Sequence, residues 1–358
     1  MKLSRIKNIF LKYEQQFSLL AVVFGFLVDN LTLRRIDLWA ENLLIIIYLS
    51  LALLSIFVLN FHHAAYLKHK FFKNIDLVFS VIMQFTFGAL FSVFFVFYFR
   101  SACVVTSWLF IVFLLFLLIA NEFFRDKYKK LSFQLLIFYI ALFSYSVFLI
   151  PLMLRKMNDY TFVLSNVFSI VIILIVLFFI RKMFPKRFYL NKRAIGINIF
   201  SVFLIFNLFY FTNIIPPIPL SLSESEIVHT LKRVNNSYEV SYERAPFWAM
   251  SKTSNTFSMQ EGERLYFFAS VFAPTKINTM IYHKWFLWEN EKWVLLSDLA
   301  YPIRGGRDGG YRGYSYKYSL KPGVWKVQLT NERGQVLGQR KFKIKIVEES
   351  PKLYSDLW

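Results

Sequence analysis

The chain has 358 residues, 56% of them hydrophobic and 20% aromatic, with a mean hydropathy of +0.45 and a formal net charge of +20. Such a composition excludes an ordinary water-soluble globular protein. The single cysteine, Cys103, excludes an intramolecular disulfide and a cysteine-based zinc site.

Most of the 43 phenylalanines lie before residue 215, where apolar stretches long enough to cross a bilayer follow one another. They run Phe17–Leu33, Asn42–Asn60, Ile75–Phe99, Val104–Ala120, Leu131–Leu154, Thr161–Ile180 and Ala194–Ile215. The first is the shortest in uninterrupted apolar length, with Asp29 and Asn30 near its far end, so it either crosses or ends in the headgroups. Met1–Glu14 is basic and no small-residue cleavage site follows, so the first span is expected to act as a signal-anchor.

Lysine and arginine alternate between the loops. The N-terminal tail and the loops after the second, fourth and sixth spans hold seventeen, while the intervening loops hold five. Positive charge stays on the cytoplasmic side, so the N-terminus is expected inside and the chain after Ile215 outside. That suits the inner membrane of a bacterium, with the C-terminal part extracytoplasmic (periplasmic).

After Ile215 the character changes. Pro216–Leu220 reads "PPIPL" and cannot continue a helix. Ser223 and Glu226 have capping-box spacing, which predicts a short amphipathic helix over Glu224–Val234 within a linker, residues 216–237. From residue 238 the period is two, with strands expected at Glu239–Glu243, Arg264–Val271, Met280–Trp288, Lys292–Ser297, Gly313–Leu320, Val324–Thr330 and Val336–Ile346. "KPG" and "NERG" supply the turns before and after Val324–Thr330. Seven short strands in about a hundred residues point to an antiparallel sandwich of immunoglobulin-like type. The fold class is therefore a membrane all-α bundle (1–215) followed by a small all-β domain (238–358).

Five motifs stand in order along the C-terminal part: "LYFFASV" (Leu265–Val271), "HKW" (His283–Trp285), "YRGYSYK" (Tyr311–Lys317), "PGVWKV" (Pro322–Val327) and "GQVLGQRKF" (Gly334–Phe342). On these, residues 264–347 resemble the bacterial family named domain of unknown function 2914. The resemblance places the family's arginine at Arg312, its serine at Ser315 and its hairpin tryptophan at Trp325. It implies a module attached to a multi-span region, and implies no activity.

Tyr301–Leu320 interleaves arginine, glycine and tyrosine as RNA-binding tails do. Residues 216–358 carry 20 basic and 14 acidic side chains, so most of the net charge belongs to the membrane half. Outside the cytoplasm the stretch meets no nucleic acid. It offers Arg304, Arg307, Tyr311 and Arg312 to an envelope glycan, an anionic lipid or an acidic protein partner. In "HKWFLWENEKW", period two puts His283, Trp285 and Leu287 on one face and Tyr282, Lys284, Phe286 and Trp288 on the other. Trp288 and Trp293 are expected to be partly exposed. The ligand-binding candidates are Trp288, Arg304, Tyr311 and Arg312.

Within the spans, Gln84, Asn166 and Asn198 are the candidates for a transport or membrane-enzyme site, the alternative reading. No acidic or basic residue occupies the middle of any span, and interhelical hydrogen bonds account for such amides. His62, His63 and His69 lack a metal-site spacing. No catalytic motif is present, so no catalytic residue, cofactor or metal is assigned and the expected role is non-enzymatic.

Overall fold

The computed structural model describes residues 26–33, 38–64, 75–124, 127–235, 237–249, 251–274, 277–304, 310–318 and 320–358. Most of the expected first span, His69 and Arg307 lie outside the described residues. Contacts divide the described chain into two compact units. One runs to Ile215 without Arg100–Thr106; the other comprises those residues and Pro216–Trp358.

The first unit is helical: α1 Trp39–His63, α2 Ile75–Ser101, α3 Val104–Ala120, α4 Leu131–Leu154, α5 Asp159–Met183 and α6 Pro185–Phe211. Residues 26–32 form a further helical stretch. Among the described residues six helices are long and apolar enough to span a membrane. The chain is an integral membrane protein by that measure. Helix α4 is buried on nearly every side, including Tyr139, Phe143, Ser144 and Phe148, as an all-round apolar helix at a bundle centre must be. Around it, α5 turns Val163, Val167, Val171, Leu174 and Phe178 outward. An apolar stripe of that length suits lipid, not water.

Helix ends follow local chemistry. The Asn158 side chain accepts from the Thr161 amide at 3.0 Å while Thr161 Oγ1 accepts from the Asn158 amide, a reciprocal cap that starts α5 two residues before the expected span. The expected inside loop after Ile180 is almost entirely helical. Helix α5 runs on to Met183, and Pro185, preorganised for a first helical turn, starts α6 nine residues earlier than hydropathy alone suggests.

The second unit contains eleven strands: β1 Ser221–Val228, β2 Thr230–Val234, β3 Ser237–Tyr242, β4 Thr256–Met259, β5 Arg264–Phe272, β6 Asn278–Glu289, β7 Lys292–Arg304, β8 Tyr311–Tyr318, β9 Gly323–Asn331, β10 Val336–Ile346 and β11 Tyr354–Leu357. One sheet has the order β1-β5-β8, a second β4-β10-β9-β6-β7, and a third β11-β3-β2. All pairs are antiparallel except β4 with β10. The first two sheets face each other in a sandwich of immunoglobulin-like type. Phe267 of β5 meets Trp285 of β6 edge to face at 6.2 Å, and Trp285 meets Phe342 of β10 at 6.4 Å. The third sheet covers part of the outward side of β5, where Phe268 packs with Val228, Leu231, Val240, Tyr242 and Trp358.

The expected helix over Glu224–Val234 is instead strands β1 and β2, so the expected linker belongs to the sheets. The Glu226 carboxylate caps no local turn. It accepts from Ser251 Oγ at 2.9 Å, Thr253 Oγ1 at 2.6 Å and the amides of Lys252 and Thr253. Ile227 and Val228 are both buried, which removes the alternation that would have marked β1 as a strand.

Candidate functional site

Strand β8 is an edge strand, and its two faces do different work. Alternation turns Gly313 and Ser315 inward, and Arg312, Tyr314, Tyr316 and Tyr318 to the other side.

Inward, Ser315 Oγ lies 2.8 Å from His283 Nδ1, and Trp285 Nε1 donates to the same oxygen at 3.1 Å. His283 Nε2 lies 3.0 Å from the Tyr301 hydroxyl. With the ring proton on Nε2, Trp285 donates to Ser315, Ser315 to Nδ1, and Nε2 to the Tyr301 oxygen. Burial pushes the His283 pKa down from 6.5 to about 3, so the ring is neutral. Burial also raises the Tyr301 phenol. A serine this close to a histidine has nucleophile–base spacing. Here His283 is 0% exposed and Ser315 is buried, so no substrate reaches them. The group is a polar clasp between two sheets. The histidine, tryptophan and serine of the recognised motifs are thus core residues.

Outward, Tyr314, Tyr316 and Tyr318 are 44%, 46% and 45% exposed. Their partners across β5 are Phe268, Tyr266 and Arg264. Tyr266 lies 5.6 Å from Tyr316 and 6.3 Å from Tyr314, Tyr316 meets Tyr318 at 5.5 Å, and Tyr238 of β3 meets Tyr314 at 6.1 Å. The Arg264 guanidinium stands 4.6 Å over the Tyr318 ring, and Arg312 closes the other end of the row. The result is a shelf of phenol rings with the Arg264 guanidinium at one end and Arg312 on the same strand face at the other.

The ligand-binding candidates are not brought together as one site. Arg312 joins the shelf. Tyr311 turns the other way and stacks on Tyr301 at 6.5 Å. Arg304 pairs with Asn278 at the far end of β7. Trp288 pairs with Trp293, about 33 Å along β6 from Asn278 at the usual strand rise. Trp288 is 43% exposed and meets Trp293 at 5.0 Å. Lys326 Nζ sits 4.5 Å from both the Phe286 and Trp293 rings, where burial and then Lys341 lower its pKa. That ammonium is already spent on aromatic faces. The unnamed members of the shelf were Tyr266, Tyr314, Tyr316 and Tyr318. Their signal was the period-two tyrosine in "YRGYSYKY", hidden by the arginine and glycine between them.

In the helical unit the intramembrane candidates are engaged between elements. Gln84 Nε2 donates to Glu122 Oε2 at 3.0 Å, and the Gln84 backbone carbonyl accepts from Asn121 Nδ2 at 2.9 Å. Asn166 Oδ1 accepts from Asn207 Nδ2 at 2.8 Å, and Asn198 Nδ2 donates to the Ser132 carbonyl at 3.0 Å. Asn60, Gln134, Tyr128 and Asn121 continue the Gln84 chain. His62 and His63 pack ring against ring at 6.1 Å, and among the described residues no group of three metal-ligating side chains occurs.

Residues 278–344 match the model of the family described as Protein of unknown function (DUF2914). No curated protein matches the chain. Among solved structures the chain is similar to an immunoglobulin-like protein from Pseudomonas aeruginosa, at 6% identity and TM-score 0.21 over 35% of this chain and 96% of that one. It is similar also to an alkylpurine DNA glycosylase from Pseudomonas fluorescens, at 9% and 0.23 over 83% and 97%. A third is a β-glucosidase from Kluyveromyces marxianus, at 7% and 0.16 over 37% and 15%. TM-scores this low leave all three without bearing on function.

Proposed function

We propose that this chain is a membrane-anchored, non-enzymatic binding protein of the bacterial inner membrane, whose extracytoplasmic sandwich holds an anionic glycan of the envelope. The helical bundle anchors it, with the N-terminus in the cytoplasm. The observation that carries the reading is the shelf of Tyr266, Tyr314, Tyr316 and Tyr318 between Arg264 and Arg312. Phenol rings present flat apolar faces with a polar rim, which suits the C–H faces and hydroxyls of successive sugar rings. Guanidinium groups fit carboxylates or phosphates on the same polymer. The ring spacing of 5.5–6.3 Å makes a linear track, not a closed pocket. The loop-charge alternation supports the orientation, and the sealed His283–Ser315 pair supports a non-catalytic role.

The test uses the full chain in lipid nanodiscs, titrated with purified acidic envelope polysaccharide and with its neutralised form. Binding that weakens in Tyr316→Ala and in Arg312→Ala, and more for the acidic polymer, is the result expected. Equal binding by the native chain and both variants, or none at all, removes the proposal.

A further inference from the structure

The connection between β3 and β4 carries the two most exposed large hydrophobic side chains among the described residues of the β unit, Phe247 at 95% and Trp248 at 74%. Water is a poor place for either ring, and a soluble protein seldom spends two adjacent aromatics on one tip. The tip is not loose chain. Its base is closed by the Arg244–Thr253 bridge and by the Ala245 amide donating to the Lys252 carbonyl at 3.0 Å. The Ala249 amide donates to the Pro246 carbonyl at 2.9 Å, a tight turn that throws Phe247 and Trp248 outward together. Their rings touch edge to face at 4.9 Å.

Beneath the turn, the buried Glu226 carboxylate fixes Ser251, Lys252 and Thr253, and Arg340 Nη2 donates to the Thr253 carbonyl at 2.8 Å. The fold thus braces a protruding pair of rings with an internal charge. The flanks are cationic. Residues 244–252 include Arg244 and Lys252 and no acid. Arg244 and Lys352 both stand 5.7 Å from the Tyr354 ring, and Lys252 is bonded to the Glu224 carboxylate at 3.1 Å.

We infer that the Pro246–Ala249 turn is a lipid anchor: Phe247 and Trp248 insert into the headgroup–acyl boundary of a bilayer, with Arg244 and Lys352 at the phosphates. Three observations favour lipid over a protein groove. The chain carries, among its described residues, six helices long and apolar enough to cross a membrane, so a bilayer surface is at hand. The tip is convex and small, which a fluid surface accepts and a protein interface of ordinary size does not need. Tryptophan beside phenylalanine above a basic rim is the chemistry of the interfacial region. The anchor is separate from the tyrosine shelf, and its failure would leave the glycan reading untouched.

The experiment places a spin label on Ala249→Cys in a Cys103→Ala background of the full chain, in vesicles of mixed zwitterionic and anionic phospholipid. Collision with lipid-soluble oxygen is compared with collision with a water-soluble nickel chelate. The expected oxygen-to-nickel ratio is several-fold above that of a control label at Glu261→Cys, falling to the control value when Phe247→Ser and Trp248→Ser are added. A ratio equal to the control, which is what a tip meant for a soluble protein gives, overturns the inference. So does a high ratio that survives the two serines. A label-free measurement stands beside it: brominated lipid should quench the native chain more than Trp248→Phe, and equal quenching also overturns the inference.

Discussion

His283 of β6 and Ser315 of β8 lie 2.8 Å apart across the two facing sheets of the sandwich, and Trp285 donates to the same hydroxyl. One oxygen therefore completes two buried groups on the opposite sheet. Ser315→Ala leaves His283 Nδ1 and Trp285 Nε1 without their partner, at a cost of about 2–3 kcal/mol. Chemical denaturation of the full chain, followed by tryptophan fluorescence, should show the β unit unfolding earlier. Ser315→Cys, which keeps a weak donor and acceptor, should recover part of the loss.

The same clasp sets a pH dependence. The His283 pKa is about 3 in the fold and near 6.5 when unfolded, so protons bind the unfolded chain more strongly. Its contribution to stability is complete above pH 6.5 and drains as the pH falls towards 3, by up to about 1.4 kcal/mol per pH unit. His283→Gln should begin less stable at pH 7.5 and then lose less on acidification. Melting curves at pH 7.5, 5.5 and 4.5 check this; parallel loss in both proteins would refute the assignment.

Gly313 and Gly338 separate two kinds of close approach. A Cβ on Gly313 would fall 2.4 Å from Tyr301 ring atoms, whereas one on Gly338 would meet chiefly the end of the Leu222 side chain. The Tyr301 ring is held by His283 and cannot swing away, while a leucine terminus can change rotamer. Gly313→Ala should destabilise the β unit by about 1–3 kcal/mol and Gly338→Ala by clearly less. Thermal unfolding of the two variants side by side decides it.

Glu226 carries a fourth test. Its carboxylate is surrounded by Ser251, Thr253 and, at 3.8 Å, Arg340, all poorly exposed. Glu226→Ala strands the Arg340 charge and unties the turn that carries Phe247 and Trp248. A loss of about 3 kcal/mol is expected. Limited proteolysis should then cut first within residues 245–252. Glu226→Gln, which keeps the side-chain volume and one carbonyl acceptor, should be milder.

The turn between β6 and β7 predicts a gain. Asn290 and Glu291 adopt φ of +49° and +59°, the doubly left-handed form of a two-residue hairpin. Glycine at the second position removes the steric strain of a side chain there. Glu291→Gly is expected to raise stability by a few tenths of a kcal/mol up to about 1 kcal/mol, read as a higher melting temperature.

Much of the architecture was legible in the residues. The spans Val104–Ala120 and Leu131–Leu154 and the strand Val336–Ile346 fall where hydropathy and alternation put them, because each needs only its own period and a clear stop. The two faces of Asn278–Glu289 were legible for the same reason: His283, Trp285 and Leu287 are buried, and Trp288 is exposed. Strands β1 and β2 were misread as a helix. Their spacing mimics a capping box, while their real partners, Phe267 and Ser241 among them, lie elsewhere in the chain.

By itself, then, the sequence determined that this chain is a helical membrane protein with a β-sandwich at its C-terminal end, since bilayer thickness and strand pleat impose periods that a single segment displays. The tertiary structure alone decided which residues meet. It took Ser315 inward to His283 and carried the tyrosines beside it outward to Tyr266 and Arg264. It set Trp288 about 33 Å along β6 from Asn278, the cross-strand partner of Arg304. Register between strands distant in sequence makes those choices, and a one-residue shift would reverse every face.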